Sequence, residues 1–265
     1  MLNRKMLPDA LQRLLNSMAD ALFPAKCLGC SRLFQHDAGT PPEGHPKAFS
    51  TAMAAHFCPP CRDTWVAVAS PLCSRCGLVF KSREGEDHLC GRCLDHPGAF
   101  ARARAAGIYA NALQSAIHAL KFKSQVSLAG PLGALLFDTF RHYWTDGDID
   151  VVAPVPLHRD RFRRRGFNQA YLLVRRWALP DATLVVRDLL VRTRATAPQT
   201  GLDRKQRRIN IRNAFSVSRP GQSTGKRVLL VDDVLTTGAT ADACAAALIR
   251  DGARRVDVLT LARAL

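Results

Sequence analysis

The stretch Arg227–Thr240 reads RVLLVDDVLTTGAT. Its first half, Val228 to Val231, is an unbroken apolar and β-branched run, the pattern of a strand buried on both faces of a parallel sheet. Asp232 and Asp233 follow at once and are expected at the carboxyl end of that strand. A turn of small and hydroxyl residues comes next (Thr236, Thr237, Gly238, Ala239, Thr240), then an alanine-rich helical stretch from Ala241 to Arg250. Strand, small-residue loop and helix start make a phosphate cradle, because backbone N–H groups and hydroxyls converge where the helix dipole is positive. Adjacent carboxylates have a separate use, gripping the vicinal hydroxyls of a ribose. An ordinary α/β crossover would account for strand and turn alone, but not for two acids and a phosphate-compatible run in one unbroken loop.

VLLVDDVLTTGAT resembles the phosphoribosyl-pyrophosphate (PRPP) binding loop of the type I phosphoribosyltransferases. The resemblance implies that Asp232 and Asp233 hold the ribose hydroxyls and that Thr236, Thr237, Gly238, Ala239 and Thr240 wrap the 5′-phosphate.

Working outward, the 265 residues leave room for one ordinary domain and a smaller one, and 47% hydrophobic residues suffice for a core. Lys and Arg number 38 against 22 acids, a net charge of +16. That surplus favours polyanionic partners such as nucleic acid, a di- or triphosphate, or an anionic membrane surface. No run approaches the ~20 apolar residues that cross a bilayer, so stable membrane insertion is not expected. The start lacks a continuous apolar segment, since Asp9, Gln12, Arg13, Asn16 and Asp20 interrupt it. Residues 8–22 read as an amphipathic packing helix with Leu11, Leu14, Leu15, Met18 and Leu22 on one face. Without an export signal the expected compartment is the cytoplasm.

Eight of nine cysteines form four C-x-x-C pairs before residue 94: Cys27 with Cys30, Cys58 with Cys61, Cys73 with Cys76, and Cys90 with Cys93. In a reducing cytosol, clustered pairs at this spacing are metal knuckles, each supplying two thiolates to one tetrahedral ion. Eight ligands make two structural Zn²⁺ sites. Sequence order puts the first two pairs on one ion and the last two on the other, although an interleaved arrangement fits the spacing too. The stretch DAGTPPEGHP (residues 37–46) between Cys30 and Cys58 reads as an exposed loop. Residues 24–98 are poor in large aliphatic side chains, so metal ligation is expected to supply what the core does not. Cys244, in ADACAAAL, reads as a small buried helix residue.

From about Gly98 the composition shifts, which divides the chain into an N-terminal helix (1–23), a double zinc ribbon (24–98) and an α/β domain (99–265). ARAAGIY (103–109) reads as a strand and NALQSAIHALKFK (111–123) as a helix with Lys121 and Lys123 at its exit. A second helix from Leu128 to about Tyr143 survives Pro131 only with that proline in its first turn. Val151–Val155 forms a buried strand, and the loop beyond it carries Arg159, Arg161, Arg163, Arg164 and Arg165, guanidinium donors suited to phosphate. Residues 189–215 pair Arg192 and Arg194 with a turn-rich stretch (Ala197 to Gly201) and then a basic helix from Asp203; the Gly and Pro of the turn-rich stretch read as a mobile lid or equally as a surface loop. VDVLTLAR (256–263) supplies a last strand. Strands alternating with helices mean an α/β fold with a parallel sheet covered on both faces.

The cysteine pairs, HALKFK (118–123), APVPLHRDRFRRRGFNQA (153–170), RTRATAPQTGLDRKQRRINIRNAF (192–215), VLLVDDVLTTGAT and LTLAR together resemble the ComF/GntX family. Its members join a double zinc ribbon to a type I phosphoribosyltransferase domain, and several are linked to natural competence. The resemblance implies PRPP and Mg²⁺ as ligands, with single-stranded DNA and competence DNA-uptake proteins as partners. It implies Asp232 and Asp233 at the reacting ribose, and pyrophosphate on Leu157, His158 and Arg159. Lys121, Lys123, Arg165, Asn168, Gln169, Arg192 and Gln199 are then supporting or lid residues. A PRPP-binding protein without turnover, acting as a sensor on DNA, is the other function compatible with these motifs.

Overall fold

The computed structural model describes residues 25–34, 51–82, 84–194 and 213–265. The N-terminal helix, the loop at 37–46, Gln199 and the basic helix from Asp203 lie outside the described residues.

Five strands form one fully parallel sheet: β3 (Arg102–Ile108), β4 (Val151–Pro154), β5 (Leu184–Val185), β8 (Arg227–Leu235) and β9 (Arg255–Arg263), in the order β3-β9-β8-β4-β5. Alternate residues of each strand face opposite sides, so both sides must be covered. On one side Val152, Leu229, Val231, Leu259 and Leu261 meet α3 (Asn111–Phe122), α4 (Ala129–Tyr143) and α6 (Gln169–Val174). On the other, Val151, Ala153, Leu230, Val256 and Val258 meet α7 (Ala239–Arg250), whose Ala241, Ala245 and Leu248 are buried. A Cβ on Gly133 would stand 2.5 Å from the Leu173 carbonyl oxygen, so α4 and α6 touch nearly backbone to backbone. Pro131 occupies the first turn of α4, where its missing N–H costs no helical bond. Cys244 is completely buried in α7.

Two small antiparallel ribbons complete the described strands. β1 (Ala25–Lys26) pairs with β2 (Leu33–Phe34), and β6 (Leu190–Arg192) pairs with β7 (Phe215–Val217). Arg192 to Arg194 are described, but the rest of the expected lid, to Gly201, lies outside the described residues.

Two elements differ from the sequence reading. β8 does not stop at Val231, because β9 continues beside it and pairs Asp232 with Thr260, Val234 with Ala262 and Leu235 with Arg263. Its other neighbour, β4, ends at Pro154 opposite Val231, so the two acids lie within a strand that has lost one partner. The arginine run is not a loop but a helix, α5 (Arg159–Arg165). Arginine is a good helix former. The His158 ring caps the start by accepting from the Asp160 N–H at 3.3 Å, and Gly166 closes the end in the left-handed region (φ 82°), donating to the Phe162 carbonyl.

The cysteine region lies along the sheet. Residues 66–75 follow the outer edge of β3: the Ile108 N–H donates to the Val66 carbonyl (2.8 Å) and the Ala103 N–H to the Arg75 carbonyl (2.6 Å). Ala67 and Gly107 form an antiparallel bridge between these contacts. Two short helices, α1 (Pro59–Arg62) and α2 (Gly91–Asp95), follow Cys58 and Cys90. Among the described residues no helix is long and apolar enough to cross a membrane.

Candidate functional site

The chain crosses from β4 to β5 in one direction along the sheet and from β8 to β9 in the other, although β4 and β8 are neighbours. At such a reversal the connections leave on opposite sides and open a crevice at the carboxyl ends of the strands, the usual ligand position in open α/β sheets. A cavity of about 590 Å³ occupies that place. Its lining comes from the ends of β4 and β8, the start of α7, α5, the exit of α3, and Arg192 of β6.

Asp232, Asp233, Thr236, Gly238, Ala239, Thr240, Leu157, Lys121, Arg165, Gln169 and Arg192 all border this cavity, as the sequence led one to expect of a single site. Thr237 does not: its hydroxyl accepts from the Ala239 N–H at 3.4 Å, and its carbonyl faces the opposite side of the loop. Of the expected pyrophosphate residues, His158 is turned into a helix cap and Arg159 is exposed outside the lining. Lys123 is also exposed beyond it, while Asn168 ties α6 to β4 by donating to the Val155 carbonyl (3.1 Å). In their place α5 presents Arg161 and Arg164, with Phe122 and Ser124 at the rim. Arg161, Arg164 and Arg165 stand at i, i+3 and i+4, one helical face. That spacing is visible in the sequence once the segment is taken as a helix.

The acids are not equivalent. Asp233, almost completely buried, pairs with the Lys121 ammonium at 2.8 Å. Burial works against the Lys121 charge, but Asp233 and then Asp232 outweigh it and raise its pKa. Among the described residues Asp232 has no such ion pair. Its enclosure and the neighbouring Asp233 charge push its carboxyl up to about 7, with Lys121 only partly opposing them. Arg165 is braced by Gln169 Oε1, and burial, partly countered by Asp233, lowers its pKa. Lys121, Arg161, Arg164, Arg165 and Arg192 therefore face Asp232 and Asp233, five cations against two carboxylates in one cavity.

Gly238 takes φ 81° immediately before α7, a left-handed turn that an L side chain would strain. It swings the chain so that the first turn of α7 points at the cavity, and the early N–H groups of a helix have no acceptor within it. An anion placed there meets both donors and dipole.

The eight paired cysteines fall into two clusters, Cys27, Cys30, Cys58 and Cys61, and Cys73, Cys76, Cys90 and Cys93, each with all sulfurs within 4.8 Å of one another. Sequential pairing is therefore realised and the interleaved one is not. Sulfurs ~2.3 Å from a tetrahedral Zn²⁺ stand about 3.8 Å apart. Cys30 and Cys58 Sγ, and Cys76 and Cys90 Sγ, are each separated by 3.8 Å. The two tetrads fit two zinc sites. Both use one design: the first pair sits in a knuckle turn, and the second opens a short helix. The Cys58 N–H donates to Cys27 Sγ, and the Cys76 and Cys90 N–H groups to Cys73 Sγ, all at 3.4 Å. Burial disfavours thiolates at Cys27 and Cys73, but backbone donors, those of Cys30, Cys58 and Gly29 at the first and of Cys76, Cys90 and Arg75 at the second, prevail and draw both to about 6. The first tetrad packs into the core layer of α3 and α4, the second into that of α7, on opposite faces of the sheet.

Comparison with known proteins agrees with this architecture. Residues 18–94 match the double zinc ribbon domain and residues 164–265 the phosphoribosyl transferase domain. The DNA utilization protein YhgH of Escherichia coli K12 is 38% identical over 201 residues, covering 73% of this chain and 85% of that one. Competence protein F of Haemophilus influenzae is 32% identical over 225 residues, covering 78% of this chain and 96% of the relative. Among solved structures, one described as the allosteric regulatory enzyme of purine biosynthesis aligns with a TM-score of 0.30 at 25% identity, over 48% of this chain and 24% of that one. With its paired cysteine tetrads on a parallel sheet and relatives that it matches over most of their length, the chain belongs to the ComF family, that of competence protein F and YhgH.

Proposed function

We propose that the crevice between β4 and β8 binds PRPP and that the protein is a phosphoribosyltransferase-like member of its family serving DNA handling. The observation that carries this reading is the cavity itself, where an adjacent carboxylate pair, a helix start and four arginines converge. Few common metabolites demand all three together: vicinal hydroxyls for the acids, a terminal phosphate for the helix start, and a diphosphate for the arginines. Asp232 and Asp233 accept from the ribose hydroxyls. The loop from Thr236 to Thr240 and the first turn of α7 hold the 5′-phosphate. Arg161, Arg164 and Arg165 face the pyrophosphate and offset its charge as the C1–O bond breaks and both bonding electrons leave with it. Mg²⁺, when bound with PRPP near the acids, would neutralise further charge on the leaving group. The names of the relatives, DNA utilization and competence, support a place in DNA handling.

Calorimetric titration of PRPP with Mg²⁺, followed by assay of pyrophosphate release, tests the reading; no heat of binding would overturn it. Its pH dependence is a sharper check. Asp232 must be ionised to accept from two hydroxyls, and its carboxyl titrates near 7 in the free protein. Affinity should therefore be full above that value and fall as pH drops through it, by about tenfold at pH 6, with proton release on binding near neutrality. A flat affinity between pH 5.5 and 8 would show that Asp232 is not a ligand.

A second reading, single-stranded DNA binding, is favoured by one observation. Exposed Arg164 borders the cavity with exposed Phe122 (67%), and exposed Arg159, Arg163 and Phe162 (38%) lie on the same helix α5, charge and stacking surface together. Affinity for an oligonucleotide is then expected to fall steeply with salt, by about tenfold or more between 50 and 200 mM. A salt-independent affinity would exclude an electrostatic site.

A further inference from the structure

The second cysteine tetrad is joined to the phosphate loop by two guanidiniums. Arg92 sits on α2 between Cys90 and Cys93 and donates from Nη1 to the Thr237 carbonyl at 2.6 Å. Arg263, only 3% exposed at the end of β9, donates from the same kind of nitrogen to the Leu235 carbonyl (2.9 Å) and the Thr236 carbonyl (2.5 Å). Three successive carbonyls, those of residues 235–237, are thus held from behind, immediately before Gly238 turns the chain into α7. Both guanidiniums also face the Cys76 thiol. A third tie comes from the linker: the Ala99 N–H donates to Asp242 Oδ1 in the first turn of α7 at 2.5 Å. Phe100, Leu235 and Ala241 share one buried cluster with Cys73, Cys76, Cys90 and Cys93. Among the described residues the first tetrad has no such connection, packing instead on the other face of the sheet.

Charge explains why arginines occupy this place. Four thiolates around a divalent ion leave two negative charges in a largely buried site. Two guanidiniums beside it offset them and spend their remaining donors on the loop. The residues that neutralise the metal centre are therefore the residues that shape the anion cradle.

We propose that Arg92 and Arg263 are positioning residues that couple the closed, metal-bound second tetrad to the binding-ready conformation of loop 235–240. The tetrad then acts on ligand affinity as well as on stability. Because coupling is reciprocal, phosphate-bearing ligand on the loop retains metal in the tetrad. Opening the tetrad frees α2, withdraws Arg92 from the Thr237 carbonyl and releases the turn that aims the α7 N–H groups.

The test compares wild type, Arg92→Ala and Arg92→Lys, each checked for two bound zinc ions. Lysine keeps a charge near Cys76 but lacks the fork needed to reach thiolate and carbonyl together. Amide hydrogen exchange at residues 235–240 should quicken by about tenfold or more in Arg92→Ala and less in Arg92→Lys, with β9 residues 256–262 unchanged. Unaltered exchange at 235–240 with both zinc ions retained overturns the proposal. Should Arg92→Ala lose its metal or fold, the wild type decides: chelator-driven release of one zinc should slow several-fold with saturating PRPP and Mg²⁺, and equal rates with and without them overturn the coupling. The ligand arm rests on the PRPP reading above, and Arg92→Ala should weaken PRPP about five- to twentyfold. If wild type binds no PRPP, that reading fails, and the exchange experiment alone judges Arg92.

Discussion

Substituting Asp232→Asn together with Asp233→Asn is expected to remove measurable PRPP binding while each chain keeps two zinc ions. The two side chains do different work, so the double change removes both. Asp232 lines the cavity, where its enclosure first and the Asp233 charge second hold its carboxyl up at about 7, so an incoming ligand meets it directly. Asp233, besides serving the ribose, fixes the Lys121 ammonium at the cavity wall. Asparagine preserves shape but offers each ribose hydroxyl a weaker, neutral acceptor in place of a charge-assisted one. Losing two such bonds at ~1.5–3 kcal/mol each weakens affinity about 10²- to 10⁴-fold. The double change also strips Lys121 of its partner, so thermal unfolding is followed in parallel. PRPP affinity within a factor of three of wild type, in a variant that melts normally, would show that the ligand lies elsewhere.

The largest effect on stability is expected at the second tetrad. Cys73 and Cys76 are completely buried and Cys90 and Cys93 nearly so, within the core layer that supports α7 and the sheet. Structural zinc contributes ~10–16 kcal/mol to folding where no other core exists, comparable with the whole ~5–15 kcal/mol of a typical domain. Cys76→Ser should therefore reduce zinc to one per chain and lower the melting temperature by tens of degrees or prevent soluble expression. Cys30→Ser should lose the other zinc at a smaller cost, since Cys30 is exposed and its tetrad borders solvent. Equal destabilisation by the two variants, measured by calorimetry beside zinc content, would contradict the packing described here.

Much of this arrangement was legible from local chemistry. The apolar run at Val228–Val231 is a strand because its neighbours on both sides are apolar strands, and a residue buried on both faces has no reason to alternate. Asp232 and Asp233 stand out because acids directly after such a run have little local use. The cysteine spacing carried the tetrads but not their placement on opposite faces of the sheet, which depends on how residues 66–75 run along β3. Arg161 and Arg164 stand in the sequence among five arginines suited to phosphate but are not told apart from Arg159 and Arg163, because a basic segment after a strand reads equally as loop and only helical geometry sets one face apart from the other. Arg92 and Arg263 could not be read at all. Their partners are carbonyls nearly 150 and nearly 30 residues away in sequence, and a carbonyl leaves no mark on composition.

The segment that carries the two metal knuckles past β3 has a further consequence for how this protein fails. Of the sheet's two borders, β5 is only two residues long and offers little to pair with, whereas β3 runs for seven residues, five of them buried. An uncovered strand of that length is a template for another chain. Residues 66–75 occupy it by their own hydrogen bonds, and the tetrads on either side of the sheet hold them there. Metal loss is therefore expected to loosen that guard and open a long, apolar border to intermolecular β-pairing.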